Sequence, residues 1–160
     1  MEDEKYIKEL KVLFCGYTGV GCNQLVNILT NEQFKENEQC LYNWKFKEKT
    51  IKINNKQFVI ELWNGPGQEK FRSLGKIFIK NSDIMIFVYD ITKRESFNDL
   101  KDYHIPAAYK ILGNNFKGVI VANKSDLYIK QIVSEAEGKQ LADSYGFKFV
   151  LASAKCKLMK

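Results

Sequence analysis

Five short apolar runs constrain what this chain can fold into more than any other feature: KVLFCG from Lys11, FVIELW from Phe58, IMIFVYD from Ile84, GVIVANK from Gly118 and FKFVLASA from Phe147. Each has the length of one strand and is apolar on both faces, as strands of a parallel sheet buried between helix layers require. Helix-length segments of mixed polarity, such as residues 94–112 and 134–146, lie between them. The pattern predicts an α/β fold with a doubly wound, mostly parallel sheet. One stretch departs from it. KFKEKTIKINNKQFVIELW, from Lys45 to Trp63, alternates polar and apolar residues on either side of Asn54-Asn55, and asparagine tolerates the left-handed turn conformation. An antiparallel edge hairpin is expected there. Ser134, followed by Glu135 and Glu137, reads as the capped start of a helix.

A chain of 160 residues, 45% hydrophobic and 28% charged, builds one well-packed domain, here residues 1–160. The net charge of +6 comes from lysines scattered among glutamates and aspartates. That distribution describes solvated faces and no nucleic-acid surface. The four cysteines include no CxxC pair and the chain has one histidine, which argues against zinc and for reduced thiols in the cytoplasm. No signal peptide, membrane span or myristoylation site is expected from MEDEKYIKEL, so membrane contact is left open.

Ligands of doubly wound sheets bind beyond the carboxyl ends of the strands. The chemically distinctive stretches fall there: GYTGVGCN, WNGPGQEKF, NKSD and SAK each follow an apolar run. Gly16 and Gly21 have the spacing of GxxxxGK[ST], in which backbone N–H groups cradle phosphates at a helix start. Cys22 and Asn23 stand where that pattern has its lysine and its hydroxyl.

These pieces in this order resemble the Ras superfamily of small GTPases, its Rab branch most closely, over essentially the whole chain. WNGPGQEKFRSL, VYDITKRESF, NKSD and SAK carry the resemblance. It implies a guanine-nucleotide site. Gly16, Gly19, Gly21, Cys22 and Asn23 would form the phosphate loop, and Phe34 would lie against base and ribose. Asp126 would accept from guanine N–H groups, while Asn123 and Lys124 brace the base and the loop. Ser153, Ala154 and Lys155 would complete the base pocket. The long final helix of the family has no counterpart, since only CKLMK follows Lys155. Either the chain is cut short or one sheet face lacks its lid.

The phosphate and metal half departs from the family. No Lys or Arg occurs from Val12 to Phe34. Asn23 replaces the loop hydroxyl, Leu41 the threonine of the first switch, and Asn64 the aspartate of the second, so Mg²⁺, which takes oxygen ligands in near-octahedral order, is not expected. Gln68 matches the water-orienting glutamine and Gly67 the glycine that senses the γ-phosphate; without Lys and Mg²⁺ they would be remnants. Pro66, where the family has Ala, stiffens the turn that must move between states. Cys22 reads as a filler of the vacated lysine channel, or as a thiol activated by the helix start. His104 has no partner evident in the sequence. The resemblance further implies that Phe46, Trp63 and Phe78 form a surface for effector-type proteins.

Three functions follow as expectations. The first is a Rab-like partner-binding module in trafficking or signalling, with weak GDP or GTP binding and impaired hydrolysis. The second is a working GTPase switch completed by a partner's groups, and the third a nucleic-acid or other interaction domain that reuses the fold, for which the scattered positive charge is the only support.

Overall fold

In a computed structural model, the described residues are 7–39, 41, 43–67 and 72–159. The chain runs β1 (Ile7–Gly16), α1 (Cys22–Leu29), β2 (Lys45–Ile53), β3 (Lys56–Asn64), α2 (Arg72–Lys80), β4 (Ile84–Asp90) and α3 (Arg94–Asp99). A π-helical turn, Leu100–His104, joins α3 to α4 (Ile105–Leu112). β5 (Lys117–Asn123), a 3₁₀ turn (Ser125–Lys130), α5 (Glu135–Tyr145), β6 (Lys148–Ser153) and β7 (Leu158–Met159) follow.

The strands form one sheet in the order β2-β3-β1-β4-β5-β6-β7. β3, β1, β4, β5 and β6 are mutually parallel, as the doubly apolar runs require. β2 pairs antiparallel with β3 as the expected edge hairpin, and Asn54 and Asn55 both take the left-handed conformation at its tip (φ 49° and 62°). After β6 the chain turns at Lys157 and returns as the short antiparallel β7. Strand order diverges around β1, so the cleft beyond its carboxyl end is the topological switch point.

Alternate residues of the central strands feed two cores. Leu13, Met85, Phe87, Tyr89, Ile120 and Ala122 are fully buried with α3, α4 and α5. Val12, Phe14, Val88 and Val121 face the other way, against Leu25 and Val26 of α1. On that second face Ile84, Ile86, Val119 and Val150 are only partly buried.

Local chemistry accounts for the helices. Ser134 caps α5 reciprocally with Glu137, each side chain bonding the other's backbone N–H. The π turn lies just before Pro106, which lacks an N–H and would crowd the carbonyl four residues back in a regular helix. The wider turn absorbs this, and it carries Tyr103 and His104. His104 has a partner after all: its Nε2 lies 3.0 Å from Asp99 Oδ2, though not aligned for a regular hydrogen bond. Asp99 also pairs with Arg72 at the start of α2.

Candidate functional site

A cavity of about 480 Å³ opens at the carboxyl ends of β1, β3, β5 and β6, and the four distinctive stretches converge on it.

At its base end, Asn123 closes β5 and Ser153 closes β6. Ser153 Oγ donates to Asp126 Oδ1 at 2.6 Å and accepts from the Cys156 N–H at 3.1 Å, which fixes the Asp126 carboxylate at the rim. Ala154 is buried beside it, and Phe34 and Lys155 line the same space. Asn123 is 1% exposed. Its Nδ2 donates to the Val20 carbonyl at 2.8 Å, while its Oδ1 is buried without a protein partner. Lys124, in the left-handed conformation, donates from Nζ to the Gly19 carbonyl at 2.8 Å and pairs with Asp90 Oδ2 at 2.7 Å. Burial raises the Asp90 pKa, but hydrogen bonds from Lys124 and Thr92 outweigh it and leave the carboxyl below its ordinary range. The base corner and the phosphate loop are thus tied by two side chains of one motif.

The loop itself turns through Gly19 and Gly21, both at positive φ. Gly21 is doubly constrained, since a Cβ there would lie 2.5 Å from Asn123 Nδ2. Cys22 opens α1 and is partly buried. Burial pushes its thiol up to about 12, outweighing the lowering by the helix-start N–H, which argues against the activated-thiol reading. Lys93, which sequence reasoning did not single out, brings its Nζ to 3.9 Å from where a Cβ on Gly19 would sit.

At the opposite end the two substituted amides meet. Asn64, 3% exposed at the end of β3, donates from Nδ2 to Asn23 Oδ1 at 3.1 Å. Leu41 lines the same cavity. The turn after β3 presses on the phosphate loop: a Cβ at Gly67 would lie 2.8 Å from Thr18 N and 2.9 Å from Thr18 Cα. Gln68 lies outside the described residues.

A polar network between α1 and the loop leading to β2 also escaped sequence reasoning. Gln24 donates to the Lys35 carbonyl (2.8 Å) and accepts from the Lys35 N–H (3.1 Å). Glu38 accepts from Gln24 Nε2 and from Asn27 Nδ2 (3.1 Å), and Asn27 Oδ1 accepts from Lys47 Nζ (2.7 Å). Glutamine and asparagine inside an amphipathic helix were the available signal.

Phe46, Trp63 and Phe78 do come together, with Phe46 stacked on Trp63 at 4.5 Å and Trp63 tilted against Phe78 at 5.5 Å. Trp44 adds an unforeseen fourth ring, stacked on Phe78 at 4.2 Å and lying against Gly65. Phe46 remains 46% exposed, and Lys11 Nζ sits 4.8 Å from the Trp63 ring.

A strand-loop-helix phosphate cradle beside an aspartate-bearing base corner defines a nucleotide-binding α/β protein of the small-GTPase fold. Sequence comparison agrees: the Ras family model matches residues 11–159. Ras-related protein Rab-2B of Dictyostelium discoideum is 32% identical over 148 residues, covering 92% of this chain and 73% of that protein. The chain belongs to the Ras family, as a Rab-like small GTPase family member.

Proposed function

We propose that this protein keeps the guanine pocket of its family but binds nucleotide weakly and without Mg²⁺, hydrolyses GTP negligibly, and acts in the cytoplasm as a partner-binding module in membrane trafficking or signalling. The observation that carries this reading is the hydrogen bond from Asn64 Nδ2 to Asn23 Oδ1. Mg²⁺ takes hard oxygen ligands in an octahedron. Here the Asn64 N–H₂ engages Asn23 Oδ1, two neutral amides stand in place of a hydroxyl and a carboxylate, and Leu41 contributes only hydrocarbon. These residues do not fit the ion. Phosphoryl transfer rests on positioning and on neutralising phosphate charge, and Cys22 supplies no cation in place of the loop lysine. The aromatic surface of Phe46, Trp63, Phe78 and Trp44 is a continuous stack with Phe46 left exposed, which supports effector-type partners that read these rings.

Calorimetric titration with GDP in Mg²⁺ and in EDTA tests the reading. The expected result is a Kd of about 1 μM or weaker, unchanged by EDTA, because loss of a charge-assisted contact removes about 1.5–3 kcal/mol. Nanomolar, EDTA-sensitive binding would overturn it and point to a working switch.

A further inference from the structure

The turn that follows the Asn123-Lys124 corner shows an apolar face to solvent. Of the nine large apolar side chains that stand exposed among the described residues, four fall within six consecutive positions: Leu127, Tyr128, Ile129 and Ile132. Ile129 is 85% exposed, and the 3₁₀ turn Ser125–Lys130 buries none of its residues. Its far end is nevertheless pinned. The Ile132 and Val133 N–H groups both donate to the Ile91 carbonyl (2.8 and 3.0 Å), Gln131 Nε2 donates to the Val133 carbonyl (2.8 Å), and the Ile132 carbonyl accepts from Arg94 Nη2 (2.9 Å). Apolar side chains held out on a fixed base lose little further freedom when covered, as suits an interface.

A groove beside this ridge is lined by Tyr128 and Ile132 of the turn, Ile91 after β4, Leu151 of β6, and Ser125 and Glu135. The Ser125 Oγ is buried without a hydrogen-bond partner among the described residues, a polar atom that calls for one. Most charges around ridge and groove are neutralised within the protein: Arg94 pairs with Glu137, Lys124 pairs with Asp90, and the Asp126 carboxylate accepts from Ser153 and lines the nucleotide cleft. One group of each sign is left. Lys130 ends the turn with no ion pair among the described residues, and Glu135 is held only by the exposed Lys139 one turn along α5 (2.7 Å). An anionic bilayer or an acidic partner would suit Lys130 and be repelled by Glu135. A second copy of the same face suits both, which is the self-complementarity of an isologous two-fold contact.

We propose that this face binds a second copy of the chain. The Tyr128-Ile129 ridge of each copy sits in the groove of the other, with the Tyr128 hydroxyl brought to Ser125 Oγ of the second copy and Lys130 to Glu135 of the second copy. Four apolar side chains fall short of the roughly 800 Å² per partner of a standard stable interface, so the dimer is reversible. It lies toward the β6 side of the sheet, away from the aromatic surface on β2-β3, and its outcome does not bear on the proposed function.

Sedimentation equilibrium of the full chain is expected to give a monomer–dimer Kd of about 10–100 μM. Ile129→Asp is expected to raise it about tenfold or more, whereas Ile77→Asp, which puts the same charge on an exposed isoleucine of α2, is expected to leave it unchanged. Lys130→Glu and Glu135→Lys are each expected to weaken association about fivefold or more, and the double exchange to return it to within about threefold of the original. Circular dichroism and the melting temperature verify the fold of each variant. A chain still monomeric at about 300 μM would overturn the proposal. So would a dimer that Ile129→Asp leaves intact or that Ile77→Asp dissolves, and so would a folded double exchange without recovery. A monomer that floats with phosphatidylserine-containing phosphatidylcholine vesicles through Ile129 would overturn it in favour of a lipid surface.

Discussion

Replacing Asp126 with Asn exchanges a carboxylate oxygen for an N–H₂ donor beside Ser153 Oγ and opposite any guanine N–H. Unmatched buried donors cost about 1–3 kcal/mol, so Asp126→Asn should weaken guanine binding about five- to a hundredfold. Competition of GDP and ADP against a fluorescent guanine nucleotide reads this directly; ADP competing as well as GDP in the unsubstituted protein would reduce NKSD to a structural turn. Two other carboxyls contribute to the acid dependence of stability alongside Asp99, the exposed Glu137 the more weakly for being screened by solvent. Hydrogen bonds from Arg94 and Ser134 hold Glu137 at about 2, and Asp90 also lies below its ordinary range. Both are lowered by folding, so their contribution is complete above the ordinary carboxylate range and is lost as the pH falls through their folded values. The melting temperature should therefore be flat from pH 7 to about 5 and fall below about 4, less steeply in Glu137→Gln; a rise on acidification would contradict this. At this scale much was legible. Asp126, Asn123 and Ser153 stand next to strand ends and carry side chains with one evident use. Cys22 was legible in identity but open in chemistry, because the contest between burial and a helix start depends on how deeply the loop is packed. Lys93 was not legible, since its approach to Gly19 is set by how β4 and β1 are juxtaposed.

Among elements, the loop between α1 and β2 bears most directly on the proposed function. In a nucleotide-driven protein this loop is ordered by the terminal phosphate and its metal. Here Gln24 and Asn27 hold Lys35 and Glu38 through hydrogen bonds between side chains or to the backbone, and Lys47 in turn donates to Asn27 Oδ1. Glu38→Ala removes the acceptor common to Gln24 and Asn27, so amide hydrogen exchange in residues 35–39 should quicken about tenfold, while adding GTP to the unsubstituted protein should leave it unchanged. Protection that appears only with GTP would defeat this account. The hairpin and the capped α5 were readable because Asn54-Asn55 and Ser134-Glu137 are neighbours in sequence that do their work locally. The π turn was foreshadowed only by Pro106 within a helical pattern. Its pairing of Asp99 with His104 spans five residues, a spacing that a search for three- and four-residue neighbours passes over.

The molecule as a whole has an asymmetric sheet. One face is sealed by α3, α4 and α5, while the face that α1 covers leaves Ile84, Ile86, Val119 and Val150 half buried. The parallel order was legible because doubly apolar strands have few alternatives, whereas the stacking of Trp44 on Phe78 depends on the docking of α2 and had no local signal. That stacking matters for partner recognition. Aromatic anchors are worth about 2 kcal/mol or more when truncated, so Phe46→Ala or Trp63→Ala should reduce partner retention about thirtyfold. Retention should be equal with GDP, GTP or no nucleotide, as quantitative capture from cell extract would show. A partner held only by GTP-loaded protein, or held equally by both folded variants, would contradict this. The chain contains two tryptophans, and both belong to this one aromatic stack. All indole emission of the protein therefore originates from the seam between the β2-β3 hairpin and α2, and the molecule carries an intrinsic optical gauge there: its colour and intensity report whether that seam opens, with no label attached.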